Sequence, residues 1–201
     1  VKIIDCIQGS EEWKKARLGR PTASQFSRIL TPKQMKLSAT SVGYLHELVA
    51  ERYLGMPLDP AFSEWIERGT AMESQARTYY EMQRDVQVRE VGHVLTDDEK
   101  VGASPDGLVG DDGGLEIKVP SAKVHIGYLL DGTDSLYKSQ VQGCMWVCER
   151  KWWDVLSYNP TLQPVLMRVQ RDEEYIEKLS AAVAEFCKRL EFAMERMENI
   201  K

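Results

Sequence analysis

Two carboxylates and a lysine set around one turn constrain this chain more than any other feature. Ser104-Pro105-Asp106-Gly107 leads into a turn at Asp111-Asp112-Gly113-Gly114, and Leu115-Glu116-Ile117-Lys118 follows it. Nine residues separate Asp106 from Glu116, which is room for a strand, a tight turn and a return strand. The spacing predicts a hairpin that brings the two carboxylates together. On the return strand Glu116 and Lys118 are two apart, so they point to one face. Two close carboxylates repel unless a cation lies between them. Oxygen ligands of this kind suit Mg²⁺, which keeps several waters and takes the rest of its shell from substrate phosphate. A neighbouring lysine can orient the attacking water and favour its hydroxide form. Phosphodiester hydrolysis needs that set: a polarised phosphate, an activated water and stabilised oxyanions. A surface hairpin with one salt bridge would carry the same residues.

The flanking pattern predicts an α/β chain with a helical first half, a β-rich middle and a helical end. Ser10 before Glu11, Glu12 and Trp13 reads as a capped helix start, with Gly19 as its stop. A short helix follows Pro21-Thr22 through Phe26 and Ile29. Val42, Leu45, Leu48, Val49 and Tyr53 recur at helical spacing up to Gly55 and Pro57. Ser63 is the expected cap of a longer helix through Trp65, Met72, Ala76 and Tyr79, and that helix carries Glu73. Val86, Val88 and Val91 then alternate as a half-buried strand does. Short strands are expected at 101–103, 107–109, 114–119, 155–158 and 165–169, with a helix over 139–147. They imply a sheet of about five strands. From Asp172 to Asn199 a long helix carries Ile176, Leu179, Val183, Phe186, Leu190, Ala193 and Met197. These fit a helix laid across the sheet, and also a coiled-coil seam.

Apolar residues make up 43% and charged residues 28% of 201, the balance of a globular chain. No linker or repeat divides it, so residues 1–201 are expected to form one domain. The net charge of −5, from 31 acidic and 26 basic residues, argues against indiscriminate anion binding, yet leaves room for a local basic channel. No apolar run is long enough for a transmembrane helix. The charged stretch from Val1 to Gly19 has no signal-peptide core. With Cys6, Cys144, Cys148 and Cys187 as free thiols, a cytoplasmic location is expected.

Asp106, Glu116 and Lys118 fit the Pro-Asp…Glu-x-Lys pattern of restriction-endonuclease-like nucleases. Further motifs appear in order: Trp13, Arg17-Leu18-Gly19 and Thr22-Ala23-Ser24; Gly69 to Glu73 with Ala76-Arg77; Ser104 to Leu108; Leu115 to Lys118; Gln140-Val141-Gln142 with Met145-Trp146-Val147; and Arg171-Asp172-Glu173 with Tyr175. This order resembles the family of phage lambda exonuclease and the YqaJ-type viral recombinases over nearly the whole chain. The resemblance implies a restriction-endonuclease-like fold, with a central mixed sheet flanked by helices. It also implies a Mg²⁺-dependent 5′→3′ exonuclease on linear double-stranded DNA, with Mn²⁺ able to substitute. Mononucleotide products, a 3′ overhang, a homotrimeric ring around DNA and a single-strand annealing partner follow on the same grounds, as does a phage or prophage origin in a bacterial host.

Residue by residue, the resemblance makes Asp106, Glu116 and the Ile117 carbonyl metal ligands. Lys118 becomes the residue that positions water, and Glu73 the helix acid that supports it. Gln142 joins the catalytic set. Arg17, Ser24, Ser104 and Gln140 match a pocket for the 5′-terminal phosphate. Arg17 suits that task through its planar fork of donors. Each of these polar residues would be unremarkable on an exposed surface.

Other constellations carry less. Cys144 and Cys148 are four apart on a helix, but Cys6 and Cys187 are isolated and no Cys-x-x-Cys pair exists to suggest an iron–sulfur cluster. His46, His93 and His125 share no ligand spacing. Trp146, Trp152 and Trp153 suit core packing more than base stacking. Phe62, Trp65 and Ile66 fit helix packing, or a wedge that parts the strands. Two rivals remain: an endonuclease on the same fold, and a DNA-binding protein whose nuclease site is degenerate.

Overall fold

The computed structural model describes residues 1–58, 62–132 and 137–200, with the backbone alone over 62–71. In chain order the elements are β1 (Lys2–Ile4), α1 (Glu11–Arg17), a 3-10 helix (Ala23–Arg28), α2 (Ser41–Leu54) and α3 (Phe62–Arg84). Then come β2 (Val88–Arg89), β3 (His93–Leu95), β4 (Gly102–Ala103), β5 (Gly107–Val109) and β6 (Gly113–Lys118). The chain closes with α4 (Ala122–Asp131), α5 (Lys138–Val147), β7 (Trp152–Ser157), β8 (Val165–Gln170) and α6 (Glu173–Glu198).

The main sheet has five strands in the order β2-β5-β6-β7-β8. Only β6 and β7 are parallel; the other neighbours are antiparallel. α4 and α5 lie between β6 and β7 in the chain, as a parallel crossover requires. Residues of even number on β6 and odd number on β7 share one face, because Glu116 pairs with Val155. On that face Trp153, Val155 and Val169 pack with α5 and α6. On the other, Leu115, Ile117 and Leu156 pack with Ala76 and Tyr80 of α3.

Each helix follows from its residues. The Ser10 hydroxyl accepts the Trp13 N–H at 3.2 Å and starts α1. Asp172 caps α6 in the same way, accepting the Tyr175 N–H at 3.0 Å. Along α6, Tyr175, Ile176, Leu179, Val183, Phe186, Cys187 and Leu190 are buried. They face α2 and α5 within this chain, so the seam is spent on its own core. Burying one such leucine contributes roughly 2 kcal/mol.

Several expectations change. The short helix expected after Thr22 forms, over Ala23–Arg28, with 3-10 geometry. A second sheet, β1-β3-β4, joins the chain's start to its middle. A parallel bridge from Thr22 to Gly102 fastens the 3-10 segment beside β4. α4 was not expected from the sequence. The side chains of Ser63, Trp65 and Ile66, and that of Phe62, lie outside the described residues, so the cap and the wedge do too. Cys144 and Cys148 are buried in the core, and burial pushes the Cys148 thiol up to about 12.

Candidate active site

The β5–β6 hairpin turns at Gly110, whose φ of +52° suits glycine. Its register pairs Gly107 with Leu115. One step further sets Asp106 opposite Glu116, on the face that also carries Lys118. Asp106 Oδ2 accepts the Ile117 N–H at 2.6 Å. Asp106, Glu116 and Lys118 therefore meet as the spacing predicted, and the Ile117 backbone lies between the two carboxylate-bearing positions.

Glu116 is 3% exposed. Its Oε1 meets Lys118 Nζ at 2.6 Å and accepts from Gln140 Nε2 at 2.6 Å. Its Oε2 is buried and has no hydrogen-bond partner among the described residues. A buried carboxylate oxygen left bare is costly, and a cation or a water beside it would relieve that cost. Lys118 also donates to Gln140 Oε1 at 3.4 Å and lies 5.0 Å from the centre of the Tyr137 ring. Burial works against the Lys118 ammonium, but Glu116 and Asp106 outweigh it and hold the pKa above its usual range.

Glu73 approaches from α3. Its Oε1 is 3.2 Å from Arg77 Nη2, which also donates to the Asp106 carbonyl at 3.3 Å. Arg77 Nη1 reaches Glu90 at 2.8 Å. Arg77 thus ties α3 to the hairpin, a role the sequence signalled only as a glutamate–arginine pair one helical turn apart. Burial raises the pKa of Glu73, against Arg77 and with the help of Glu116. Asp106 is pushed well above the ordinary carboxylate range by burial, then by Glu116 and Glu73. Three acids crowd one lysine.

A hard divalent cation fits this set. It would meet the bare Glu116 oxygen and relieve the repulsion. Among the described residues, no three His, Cys, Asp or Glu side chains form a metal cage. Two carboxylates and the Ile117 carbonyl would leave the remaining coordination to water and phosphate, as Mg²⁺ prefers.

A second cluster lies around Ser104. Its Oγ meets Trp13 Nε1 at 2.9 Å, Arg17 Nη1 at 3.1 Å and His93 Nδ1 at 2.9 Å. The Arg17 guanidinium stacks on the Trp13 ring, 4.4 Å from its centre. Arg17 and Ser104 are therefore brought together as expected. Ser24 is exposed, with its hydroxyl 3.4 Å from that of Thr22. Gln140 sits in the acid cluster, hydrogen-bonded to Glu116 and Lys118. Among the described residues, no hydrogen bond joins Ser24 or Gln140 to Ser104.

Gln142 requires a correction. Expected in the catalytic set, it is buried, with both ends of its amide engaged elsewhere. Its Nε2 donates to the Gln170 carbonyl and its Oε1 accepts the Asp172 N–H, both at 2.9 Å. It fastens α5 to the junction of β8 and α6 and takes no part in the acid cluster. His93 and Tyr137 were missed. Each lies beside a predicted residue only through contacts between distant segments.

A mixed five-stranded sheet, with a carboxylate-bearing hairpin beside its central parallel pair, defines the restriction-endonuclease-like nuclease fold. Residues 12–151 match the YqaJ-like viral recombinase domain family, and the chain belongs to that family. The alkaline exonuclease LHK-Exo from Laribacter hongkongensis is 33% identical over 94% of this chain and 97% of its own, with a TM-score of 0.85. The same exonuclease in complex with dAMP matches at 34% identity, over the same shares of both chains and with the same TM-score. A phage related exonuclease from Haemophilus somnus 129PT shares the fold at 14% identity, covering 89% of this chain and 96% of its own with a TM-score of 0.68. No curated protein matches the sequence. Among the described residues, no helix is long and apolar enough to cross a membrane.

Proposed function

We propose that this chain is a Mg²⁺-dependent exonuclease acting 5′→3′ on the ends of linear double-stranded DNA. The observation that carries this reading is the bare, buried Oε2 of Glu116, facing a site shared with Asp106, Lys118 and Glu73. The similarity to an alkaline exonuclease supports it. Asp106, Glu116 and the Ile117 carbonyl would hold Mg²⁺, or Mn²⁺ in its place. When bound, the ion supplies polarisation of the scissile phosphate and neutralisation of the two carboxylates.

The other residues act around it. The Lys118 ammonium, fixed by Glu116 and Gln140, orients the attacking water and offsets charge that develops on the phosphate. Glu73 supports that water from α3. Arg17 grips the 5′-terminal phosphate through its planar fork, and Ser24 flanks that grip. Gln140, held by Glu116 and Lys118, would meet that phosphate from the side of the acid cluster. A phosphate seat set one nucleotide from the cut would release mononucleotides and leave a 3′ overhang. A homotrimer encircling the duplex would give processivity and keep basic groups inside an acidic exterior. A single-strand annealing protein would then use the overhang.

The test is a linear duplex with one 5′ end phosphorylated and the other hydroxylated, each labelled separately, with Mg²⁺ and a closed circle as control. Mononucleotides should leave the phosphorylated end first while the circle stays intact. Cutting of the circle would replace the exonuclease reading with an endonuclease. No cutting of either substrate would favour a binding protein. Light scattering should give three times the monomer mass, and a strict monomer would remove the ring.

A further inference from the structure

The Ser104 hydroxyl is the common acceptor of two side chains of α1, and its proton balance is fully determined. A serine oxygen accepts at two lone pairs and donates one proton. The Trp13 indole N–H and an Arg17 guanidinium N–H fill the two lone pairs. Among the described residues, the only remaining contact of Ser104 Oγ is His93 Nδ1 at 2.9 Å. If Nδ1 carried a proton, three donors would converge on one oxygen and the hydroxyl proton would have no acceptor. The hydroxyl must therefore donate to Nδ1, and the imidazole proton must sit on Nε2.

We infer that His93 is a positioning residue for the phosphate-gripping arginine. It takes the Ser104 hydroxyl proton, so that Ser104 presents only lone pairs to Trp13 and Arg17. Ser104 then seats the guanidinium rather than donating to phosphate itself. One hydrogen bond and one stacked face fix the plane of the Arg17 fork before any DNA arrives, and such preorganisation favours binding. The inference rests on the reading of Arg17 as the phosphate grip.

The surroundings of His93 agree. The residue is fully buried in β3. Burial, followed by the charges of Arg17 and Arg20, pushes its pKa down to about 3, so the ring is neutral. Its Nε2 is buried against Gly102 on the neighbouring strand, without a partner among the described residues. A Cβ at position 102 would run into Nε2. The glycine therefore admits the ring, and the ring accepts an unpaired N–H. An imidazole in that position is worth its cost only if Nδ1 has a task.

Two measurements test this. Nitrogen-15 NMR of the wild-type imidazole should show a protonated Nε2 and a bare Nδ1 throughout the neutral range. A proton on Nδ1 would overturn the inference without any assay of activity. Kinetics then compare His93→Leu, which removes the acceptor, with His93→Asn, whose Oδ1 can stand near the place of Nδ1. The leucine variant should lose about tenfold in its preference for 5′-phosphorylated over 5′-hydroxyl ends, through KM more than kcat. Asparagine should restore most of that preference. Equal losses on both kinds of end, or an undiminished preference in His93→Leu, would reduce His93 to a packing residue. A wild-type enzyme indifferent to the 5′ phosphate would instead sink the phosphate reading, and this inference with it.

Discussion

Glu116 and Asp154 are both buried acids, on neighbouring strands and opposite faces of one sheet. Asp154 pairs in register with Leu115, one residue from Glu116. Its Oδ1 accepts Arg168 Nε at 2.8 Å, and its Oδ2 accepts Arg168 Nη2 at 2.9 Å and the Tyr80 hydroxyl at 2.8 Å. Arg168 is itself stacked on Trp152, 3.6 Å from the ring centre. Nothing about Asp154 is incomplete. Glu116, by contrast, has one oxygen doubly bonded and the other bare. Burial and charge are the same in kind on the two faces. The difference lies in satisfaction: a fully paired acid holds the sheet together, and an under-paired one awaits a ligand.

The contrast can be broken most sharply at the working acid. Glu116→Gln should cut hydrolysis of linear duplex by at least about 10³-fold and abolish stabilisation by Mg²⁺. Lys118→Ala should lose about as much hydrolysis but keep both the Mg²⁺ response and DNA binding. Loss of the Mg²⁺ response in Lys118→Ala would contradict the role assigned to that lysine. Next in size is Arg17→Ala, which should weaken use of 5′-phosphorylated ends by about 10–100-fold while 5′-hydroxyl ends lose much less. Equal losses would remove the phosphate grip.

The satisfied acid should behave in the opposite way. Asp154→Asn should cost about 2 kcal/mol in urea unfolding, below the usual figure for breaking a buried pair because Arg168 is partly exposed and can turn to water. Turnover per folded molecule should stay within about twofold of wild type, a smaller change than any substitution in the working site brings. A large loss of turnover without loss of stability would dissolve the comparison.

The smallest effect is in pH. Folded Asp106 holds its proton more tightly than the unfolded chain does, through burial and the charges of Glu116 and Glu73. Its contribution to stability is therefore full below the unfolded carboxylate pKa and is lost as pH rises through the raised folded value. Without Mg²⁺ the thermal midpoint should fall modestly across that window, and Mg²⁺ should restore it. Hydrolysis should run the other way, failing as pH drops and Asp106 is protonated. A midpoint that rises with pH in that window would contradict the crowding of acids.

Much of the acid cluster was legible because it depends on local rules. A period of two set Glu116 and Lys118 on one side, and a nine-residue gap set Asp106 opposite. The long strands β6, β7 and β8 and the capped helices α1 and α6 followed from alternation and capping in the same way. The small sheet was hidden because its strands have two or three residues each, and Lys2–Ile4 pairs with His93–Leu95 some ninety positions on. No local pattern announces such a pairing. The serine–histidine contact was hidden for the same reason: Trp13, Arg17, His93 and Ser104 come from three separate stretches. Gln142 is a different lesson. Two helical residues at positions i and i+2 point about 200° apart, so Gln140 and Gln142 could not both face Glu116. Helix geometry favoured one of them, and Gln140 is the one that reaches the acid.

The most direct measurement is the thermal midpoint as a function of Mg²⁺ for wild type, Glu116→Gln and Asp154→Asn. The bare carboxylate oxygen predicts a midpoint that climbs with Mg²⁺ in wild type and in Asp154→Asn, the latter from a lower start, and stays flat in Glu116→Gln. A Glu116→Gln variant that climbs as steeply as wild type would show that the cation sits elsewhere, and that the incomplete acid is not the working site.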